Sequence, residues 1–376
     1  MRASVLALLL LIAACAVREQ ADFVQAPTPG AVWQPVLVAT TRGPDPDQPI
    51  PGWDRSYTLT FGRYVVSIPP DREPGRIPRP RGRMAAEPEH DFMLAEAQPL
   101  TDAQFESAVR SALSEQSPSQ REAVIFVHGF NTAFVEGVYR AAQLKYDLGL
   151  PGAMLHYSWP SLGAPLAYVH DRDSALFARD GLVQMLHRVR DAGAPRIILV
   201  AHSMGSQLVM EALRTMSQTG DPAITAIGGV VLISPDIDVD LFRQQVADIR
   251  QLPTPFLIMT SQRDRVLQLS ARLSGETTRL GNLADAEPVA GLGVTLIDVS
   301  AFSEGAGHFT AASSPSLLHL FDQLGAVHAA LDEGSDGSLP LLPATILTLQ
   351  NTTQVILQPM TETRPRQILP TWLPLR

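Results

Sequence analysis

A short apolar run that ends at a serine constrains this chain more than any other stretch. Residues 196–205 read RIILVAHSMG, and the four apolar residues, three of them β-branched, are typical of a buried strand. Apolar residues then recur at helical spacing over 208–216. A strand, a sharp turn centred on Ser203 and a helix form the layout of a nucleophile elbow, in which the residues two before and two after the serine must be small. Ala201 and Gly205 meet this demand, so the sequence predicts a nucleophilic serine.

From residue 123 onwards, patterns typical of strands alternate with patterns typical of helices. This alternation predicts an α/β fold with a mostly parallel central sheet and helices on both faces. We expect strands at 124–127, 153–158, 197–200, 229–233, 255–260 and 294–299. We expect helices at 134–148, 164–192 (one long helix or two), 207–216, 239–249 and 315–331.

The first hundred residues predict an N-terminal extension of strands. Residues 34–41 and 57–68 are rich in β-branched residues, and a third strand is expected at 92–95. Residues 71–89 are rich in proline, arginine and glycine and have no periodicity, which predicts a loop. We expect the arginines of this loop to lie on a solvated, extended segment rather than to contact nucleic acid, since the net charge of the chain is −9.

The first fifteen residues carry signals for export. Arg2 gives a positive start, and the apolar segment 5–14 has the length of a secretory signal rather than of a membrane span. Residues 12–15 read IAAC, which resembles the bacterial lipobox that precedes a lipidated cysteine. Cys15 is the only cysteine, which excludes an intramolecular disulfide. We expect an exported lipoprotein, anchored to an envelope membrane through Cys15; an ordinary signal peptide with a chance cysteine is the alternative.

These signals predict one large domain with appendages. A chain of 376 residues is long enough for a single extended core. The expected organisation is a signal peptide at 1–14, a tether at 15–35, a domain at 36–333 (with the N-terminal strands and loop at 36–100), and a tail of uncertain order at 334–376. Within the tail, the pattern of a strand occurs at 345–349 or at 354–358.

A serine hydroxyl needs a base to take its proton and a carboxylate to hold that base. In an elbow fold, the order along the chain is serine, acid, histidine. His308 lies in a glycine-rich loop after a strand, whereas His319 and His328 fall in a predicted helix, so His308 is the expected base. Asp264 is the expected acid because it follows the strand that usually carries it. Asp236 is the alternative acid, although the DIDVD run that begins there also suits a helix start.

Two backbone amides are expected to form an oxyanion hole. One belongs to Met204, directly after the serine, and the other to Phe130, where Gly129 permits a close approach. Trp159 is expected either to line the pocket or to pack, and His202 is too close to the serine in sequence to be the base. No motif for a metal, a phosphate or a dinucleotide is present, so we expect no metal and no cofactor.

Taken together, these stretches resemble a bacterial family of α/β-hydrolases of unknown function, DUF900. The matching segments lie between residues 36 and 309 and read VLVATTR, VVSIPP, VIFVHGFNTAF, HYSWPS, LVAHSMGSQLVMEALR, ISPDID, SQRD and GHF. The resemblance implies the α/β-hydrolase fold, with Ser203 as nucleophile, Asp264 as acid and His308 as base. It also implies an oxyanion hole at the amides of Phe130 and Met204. It implies no substrate, since this fold hosts many reactions.

We therefore expect a serine hydrolase that cleaves a small-molecule or lipid ester by acyl transfer to Ser203. A lipase, thioesterase or amidase with the same Ser-His-Asp triad is the alternative among enzymes. A non-catalytic envelope protein that uses the domain as a binding scaffold is the alternative from another class. No feature of the sequence selects the acyl group, the alcohol or the oligomeric state.

Overall fold

The computed structural model describes residues 21–80, 84–275, 278–302, 344–349 and 352–357. Its strands are β1 (Val32–Pro44), β2 (Pro51–Ile68), β3 (Met93–Leu100), β4 (Glu122–Val127), β5 (Ala153–Ser158), β6 (Arg196–His202), β7 (Ile227–Ile233), β8 (Phe256–Thr260), β9 (Thr295–Asp298), β10 (Ala344–Leu349) and β11 (Thr352–Leu357). Its helices are α1 (Asp102–Ser114), α2 (Phe134–Asp147), α3 (Tyr168–Phe177), α4 (Arg179–Asp191), α5 (Met204–Thr219), α6 (Val239–Asp248) and α7 (Arg265–Leu273). Short 3₁₀ turns lie at Pro118–Gln120, Pro222–Ala226, Leu280–Asn282, Glu287–Val289 and Ser300–Phe302.

All the strands join one sheet, in the order β10-β11-β9-β8-β7-β6-β4-β5-β1-β2-β3. The run from β11 to β1 is parallel. Antiparallel strands flank it, with β2 and β3 at one edge and β10 at the other. The predicted fold class, a mostly parallel sheet with an N-terminal extension of strands, is confirmed.

The two faces of the sheet bury different helices. Leu199 and Ala201 of β6 belong to the larger core cluster, together with buried residues of α1, α4 and α5. Ile198 and Val200, which alternate with them along the strand, pack against the second cluster, which contains α2. This alternation follows from the two-residue period of a strand, and it places helices on both faces, as predicted.

The N-terminal strands are longer than their apolar patterns indicated. Strand β2 begins at Pro51 rather than near residue 57, and it pairs with the end of β1 across register shifts at Arg42. Such bulges allow pairing to continue through polar and glycine-rich sequence that otherwise indicates a turn. Strand β3 covers Met93–Leu100, which extends the predicted segment 92–95.

The sheet also extends beyond the ends that we assigned to the domain. Within the expected tether, the N–H of Val24 donates to the carbonyl of Leu94 in β3 at 2.9 Å, so residues 21–24 dock against the sheet. Within the expected tail, both β10 and β11 form, and β11 adds in parallel to β9. None of the helices in the described ranges is long and apolar enough to cross a membrane.

The arginine-rich loop after β2 differs from the solvated segment that we expected. The Arg72 side chain is 4% exposed and forms an ion pair with Asp147 at the end of α2. The same carboxylate accepts hydrogen bonds from the N–H of Gly75 and from the side chain of Gln143. The loop is therefore docked on α2. The sequence gives no local sign of this, because Asp147 lies far along the chain.

Candidate active site

Ser203 lies at the turn between β6 and α5 in a left-handed backbone conformation. Its φ is 52° and its ψ is −121°, a combination that is strained for a residue with a side chain. The next strand holds the turn, since Ser203 N–H donates to Ile233 O at 3.0 Å and Asp236 N–H donates to Ser203 O at 3.2 Å. Ala201 is fully buried beneath it. This is the backbone geometry of a nucleophile elbow.

Two glycines allow the elbow to touch the loop after β4. A Cβ atom at Gly205 would lie 2.3 Å from the carbonyl oxygen of His128. A Cβ atom at Gly129 would lie 2.7 Å from His202 Nδ1 and 2.9 Å from Ser203 Cβ. No real Cβ approaches other atoms so closely, so both positions require glycine for this contact to form.

The two amides expected in an oxyanion hole belong to the segments that meet at Gly129. Phe130 directly follows this glycine, in the loop after β4. Met204 is the first residue of α5, where backbone N–H groups have no acceptor within the helix. A negative charge beside these amides would also lie at the positive end of the helix macrodipole. The role of the two amides stays a prediction.

Asp264 lies at the carboxyl end of β8, two strands from β6. It is fully buried, and its Oδ1 accepts hydrogen bonds from the N–H groups of Val266 (3.1 Å) and Leu267 (3.0 Å). It is therefore the N-cap of α7.

Asp236 lies at the carboxyl end of β7 in a buried polar cluster that links α3 with α7. The Tyr168 hydroxyl donates to Oδ2 at 2.9 Å, and the Ser270 hydroxyl donates to Oδ1 at 2.7 Å. Arg279 Nε lies 3.3 Å from the same Oδ1. The helix-start role that the sequence suggested for Asp236 belongs instead to Asp238, whose side chain accepts a first-turn amide of α6 at 2.9 Å.

The remaining expected site residues lie outside the described residues. The base His308 falls in 303–343, as do His319 and His328. The lipidation site Cys15 falls in 1–20. Their assignments stay predictions.

The loop after β4 is fixed by buried polar side chains from other segments. Asn131 has a φ of 55°, and its N–H donates to Asp171 Oδ2 at 3.2 Å. Thr132 N–H donates to Ser161 Oγ at 3.0 Å, and the Ser161 hydroxyl donates to the same Asp171 oxygen at 2.6 Å. From the other side, Arg42 Nη2 donates to Thr132 O at 2.9 Å. Asn131 and Thr132, the two residues that directly follow Phe130, are thus each held in place by at least one of these groups.

Arg42 connects three segments at a single buried guanidinium. Its Nε donates to Ser158 Oγ at 3.0 Å, and its Nη1 donates to Ser161 O at 2.9 Å and to Gly52 O at 3.1 Å. The residue is 2% exposed, so its charge acts through the low-dielectric interior rather than through water. A fixed positive charge beside the loop of Phe130 favours negative charge that develops there.

His128 and Trp159 pack together below this loop. Their rings stack with centroids 4.7 Å apart, and Trp159 Nε1 donates to His128 O at 2.7 Å. Of the two roles that we left open for Trp159, the structure shows packing, since its side chain is fully buried. Burial, together with the positive charge of Arg42 and with His156, lowers the pKa of His128 well below its ordinary value, so its imidazole is neutral at neutral pH.

Sequence reasoning missed Arg42 and Asp171 as parts of the site. One signal was available for Arg42, because it ends one of the segments that carry the family resemblance, VLVATTR. Across the described part of the chain, no group of three His, Cys, Asp or Glu side chains is placed to hold a metal ion. The chemistry that the arrangement can support is nucleophilic: a serine at a helix start, with backbone amides on two sides.

Among solved structures, the chain is similar to several esterases and lipases at low identity. For one of two fungal esterases from Rhizomucor miehei, the identity is 15%, the match covers 78% of this chain and 88% of that chain, and the TM-score is 0.33. For lipase B of Aspergillus fumigatus, the identity is 16%, the match covers 66% of this chain and 62% of that chain, and the TM-score is 0.36. For esterase B of Lactobacillus rhamnosis, the identity is 13%, the match covers 62% of this chain and 96% of that chain, and the TM-score is 0.30. These likenesses say nothing about the substrate of this chain.

A comparison with protein families gives a direct match. The profile of the family described as alpha/beta hydrolase of unknown function (DUF900) matches residues 102–325. No curated protein sequence matches the chain. The matched range contains the elbow, the loop after β4 and both candidate acids. The chain therefore belongs to the α/β-hydrolases of the DUF900 family.

Proposed function

We propose that this protein is a serine hydrolase that cleaves a carboxylic ester by acyl transfer to Ser203. The observation that carries the proposal is the left-handed conformation of Ser203 at a turn that only small residues permit. Strain of this kind persists where the surrounding structure imposes it, and it concentrates at functional sites. Membership of an α/β-hydrolase family supports the same conclusion.

In the proposed mechanism, Ser203 Oγ attacks the ester carbonyl carbon while His308 takes the hydroxyl proton. The amides of Phe130 and Met204 stabilise the oxyanion of the tetrahedral intermediate. The intermediate collapses with release of the alcohol, which takes the proton from His308. A water molecule then attacks the acyl-enzyme, again with His308 as base, and the carboxylic acid and free Ser203 are released.

We assign the acid of the triad to Asp264. Both oxygens of Asp236 are engaged by structural partners, namely Tyr168 on Oδ2, and Ser270 and Arg279 on Oδ1. Asp264 is fully buried and follows β8, at the same edge of the sheet as Ser203. Asp264 would hold the imidazole of His308 in the tautomer that can accept the serine proton.

Hydrolysis of matched substrates tests the proposal and separates it from the related activities. The purified protein is offered 4-nitrophenyl esters of increasing chain length, the corresponding thioesters and the corresponding 4-nitroanilides. We expect turnover of the esters with the highest kcat/KM. A preference for thioesters or anilides would reassign the reaction to a thioesterase or an amidase on the same residues, and a folded protein that turns over none of them would favour the binding scaffold.

We also propose that Cys15 anchors the enzyme to the bacterial envelope through a lipid. The IAAC sequence at residues 12–15 supports this. Mass spectrometry of the mature protein is expected to find an N-terminal, acylated Cys15, and Cys15→Ala is expected to leave the protein unanchored. A mature N-terminus elsewhere, or wild-type protein that washes from membranes without detergent, would contradict the anchor.

A further inference from the structure

Four exposed apolar side chains lie at the edge of the sheet that carries Ser203. Leu166, just before α3, is 97% exposed, and Val169, in the first turn of α3, is 73% exposed. Val266 and Leu269 are exposed on α7. These two helices follow the carboxyl ends of β5 and β8, which lie at the same edge as the elbow because the strands are parallel. We call these four residues the apolar rim.

The two helices that carry the apolar rim are joined through Asp236. The Tyr168 hydroxyl of α3 lies 2.8 Å from Ser270 Oγ of α7, and both hydroxyls donate to the Asp236 carboxylate. The N–H of Asp236 in turn donates to Ser203 O at 3.2 Å. The start of α3 and the middle of α7 are therefore both fixed to the turn that holds the nucleophile.

The apolar rim is adjacent in sequence to these linking side chains. Val169 directly follows Tyr168, and Leu269 directly precedes Ser270. The Tyr168 ring also packs edge to face against the ring of Phe130, with centroids 5.4 Å apart. Phe130 is the residue whose amide we assign to the oxyanion hole. The apolar rim is thus connected to both sides of the proposed reaction centre.

Exposed cations accompany the apolar side chains of α7. Arg263, Arg265 and Arg272 are exposed, and Asp264, the only acid in residues 261–275, is buried. Helices that lie in the plane of a membrane interface combine exposed apolar side chains with cations, which meet the anionic headgroups. Because the chain as a whole has a net charge of −9, these arginines define a local surface that an anionic membrane attracts.

The chain enters the described fold at this same edge. The N–H of Ala21 donates to Gln48 Oε1 at 2.8 Å. Gln48 lies in the loop after β1, and the carboxyl end of β1 is beside that of β5 because these strands are parallel. Cys15, the proposed lipid site, is six residues before Ala21, and six residues span at most about 20 Å. Since a domain of this size is about 50 Å across, a lipid at Cys15 would hold this edge near the bilayer.

We propose that the apolar rim lies in the interface of a phospholipid bilayer and admits ester lipids from this bilayer to Ser203. The inference rests on the proposed function and deepens it, because it names membrane lipids with a carboxylic ester as the substrate class. Transfer of the four apolar side chains out of water favours this placement. The exposed arginines of α7 then meet headgroup phosphates.

A fluorescent label on the apolar rim tests the placement. The mature enzyme with Leu166→Cys carries an environment-sensitive dye and is bound to vesicles of phosphatidylcholine and phosphatidylglycerol. We expect a blue shift of the dye and quenching by spin-labelled lipid. The matched control is a dye on Tyr146→Cys, which is exposed at the end of α2, at the opposite edge of the sheet, and should show neither. A dye on Cys15 would be common to both variants, so their difference decides. Equal quenching at the two positions, or none at either, would overturn the inference.

The way in which the substrate is presented connects the apolar rim to the reaction. Rates are compared for 4-nitrophenyl acetate in solution and for 4-nitrophenyl palmitate held in the vesicles. In Leu166→Ser/Val169→Ser, we expect the ratio of the vesicle rate to the solution rate to fall at least about tenfold, since burial of one large apolar side chain is worth about that much in binding. Tyr146→Ser is expected to keep the ratio of the wild type. An unchanged ratio in the rim variant, or an equal fall in both, would overturn the inference.

Substitution of the arginines tests the contact with headgroups. Arg265→Gln/Arg272→Gln is expected to weaken binding to vesicles that contain phosphatidylglycerol by about fivefold for each cation. Binding to vesicles of phosphatidylcholine alone should change much less. An equal loss on both kinds of vesicle would contradict the proposed contact with anionic headgroups.

Two measurements separate the inference from its rivals. If the apolar rim instead joins two copies of this chain, gel filtration would show a dimer that is lost in Leu166→Ser/Val169→Ser while the rate ratio stays unchanged, and the inference would be wrong. Hydrolysis of 4-nitrophenyl acetate and labelling of Ser203 report the proposed function separately. Failure of the membrane surface is therefore distinguishable from failure of the esterase.

Discussion

At the residue scale, the turn at Ser203 requires glycine at two neighbouring positions. Gly205 and Gly129 leave no room for a Cβ atom where the loop after β4 crosses the elbow. The positive φ of Ser203 directs the chain from strand into helix within one residue. The position of the nucleophile is therefore set by backbone contacts at this turn.

Substitution of Gly205 tests this contact. In Gly205→Ala, the new Cβ would lie 2.3 Å from the His128 carbonyl oxygen, so the backbone must shift. We expect a loss of about 3 kcal/mol in the free energy of unfolding, typical of an overpacked core, and a loss of ester hydrolysis. Gly43→Ala is the matched control, since its Cβ would meet only ordinary contacts at 3.6 Å. Urea unfolding of both variants gives the comparison, and equal stability of the two would contradict the tight elbow.

Substitutions of the two buried acids are expected to have different effects, one on catalysis and the other on stability. Asp264→Asn is expected to lower kcat by about four orders of magnitude with little change in unfolding, because the base would lose its correct tautomer. Asp236→Asn is expected to lower the free energy of unfolding by about 3 kcal/mol, because Arg279 would be left buried without its ion partner. Steady-state kinetics and urea unfolding of both variants decide the assignment. The reverse ranking would transfer the role of acid to Asp236.

At the element scale, the loop after β4 is held by elements that are distant in sequence. Arg42 comes from β1, Asp171 from α3 and Ser161 from the loop between β5 and α3. Their hydrogen bonds go to the backbone of Asn131 and Thr132, directly after Phe130. The orientation of the Phe130 amide therefore depends on a buried polar network that no single element supplies.

Asp171→Asn is expected to weaken this network without unfolding the domain. The variant keeps one acceptor oxygen but loses the charge that receives the Ser161 hydroxyl and the Asn131 amide. If this loop supplies an oxyanion donor, kcat should fall about tenfold to a hundredfold at nearly unchanged KM. Asp173→Asn, exposed on the same helix, is the control. An equal fall of kcat in both variants, or an effect on KM alone, would show that this loop does not supply an oxyanion donor.

Helices α2 to α6 and the central strands were predictable from the sequence because their periodicity is local, whereas α7 was not predicted. The predicted helix at 315–331 lies outside the described residues. The strands at the edges of the sheet were less predictable. The early start of β2 depends on bulges at Arg42, and the docking of the arginine-rich loop depends on Asp147, which lies far along the chain. Strands β10 and β11 are short, and they were distinguished from a tail only by the pairing of β11 with β9 and of β10 with β11.

At the scale of the whole molecule, the sequence predicted the elbow, because its strand, serine turn and helix are contiguous along the chain. The order of the acid and the base stays a prediction. The sequence could not predict the buried network of Arg42 and Asp171 or the polar cluster around Asp236. Those features depend on which side chains from separate segments meet after folding. Composition and spacing do not show which side chains from separate segments come into contact.

Buried histidines make the stability of the whole domain sensitive to acid. Burial lowers the pKa of His156 to about 3, and burial likewise lowers that of His128, whereas an unfolded histidine titrates near 6.5. The unfolded state therefore binds protons first, and the stability that is present above pH 6.5 is lost as the pH falls towards 3. Between pH 7.5 and pH 5, we expect His156 to contribute a loss of about 2 kcal/mol.

Substitution of His156 tests this account. The difference in unfolding free energy between pH 7.5 and pH 5 should be about 2 kcal/mol smaller in His156→Gln than in the wild type. His90→Gln, at an exposed position, should leave that difference unchanged. Urea unfolding at the two pH values measures it, and an unchanged difference in His156→Gln would contradict a buried neutral imidazole.

Covalent labelling of Ser203 tests the central claim most directly. A fluorophosphonate reacts only with a serine that is activated as a nucleophile, and tryptic mass spectrometry identifies the labelled residue. We expect one adduct, on Ser203, in parallel with hydrolysis of 4-nitrophenyl esters, and loss of both in Ser203→Ala, whose fold should be unchanged; any residual hydrolysis should not exceed what the oxyanion hole alone supplies. A folded wild-type protein that is neither labelled nor active across ester chain lengths, or one labelled at another serine, would contradict the account.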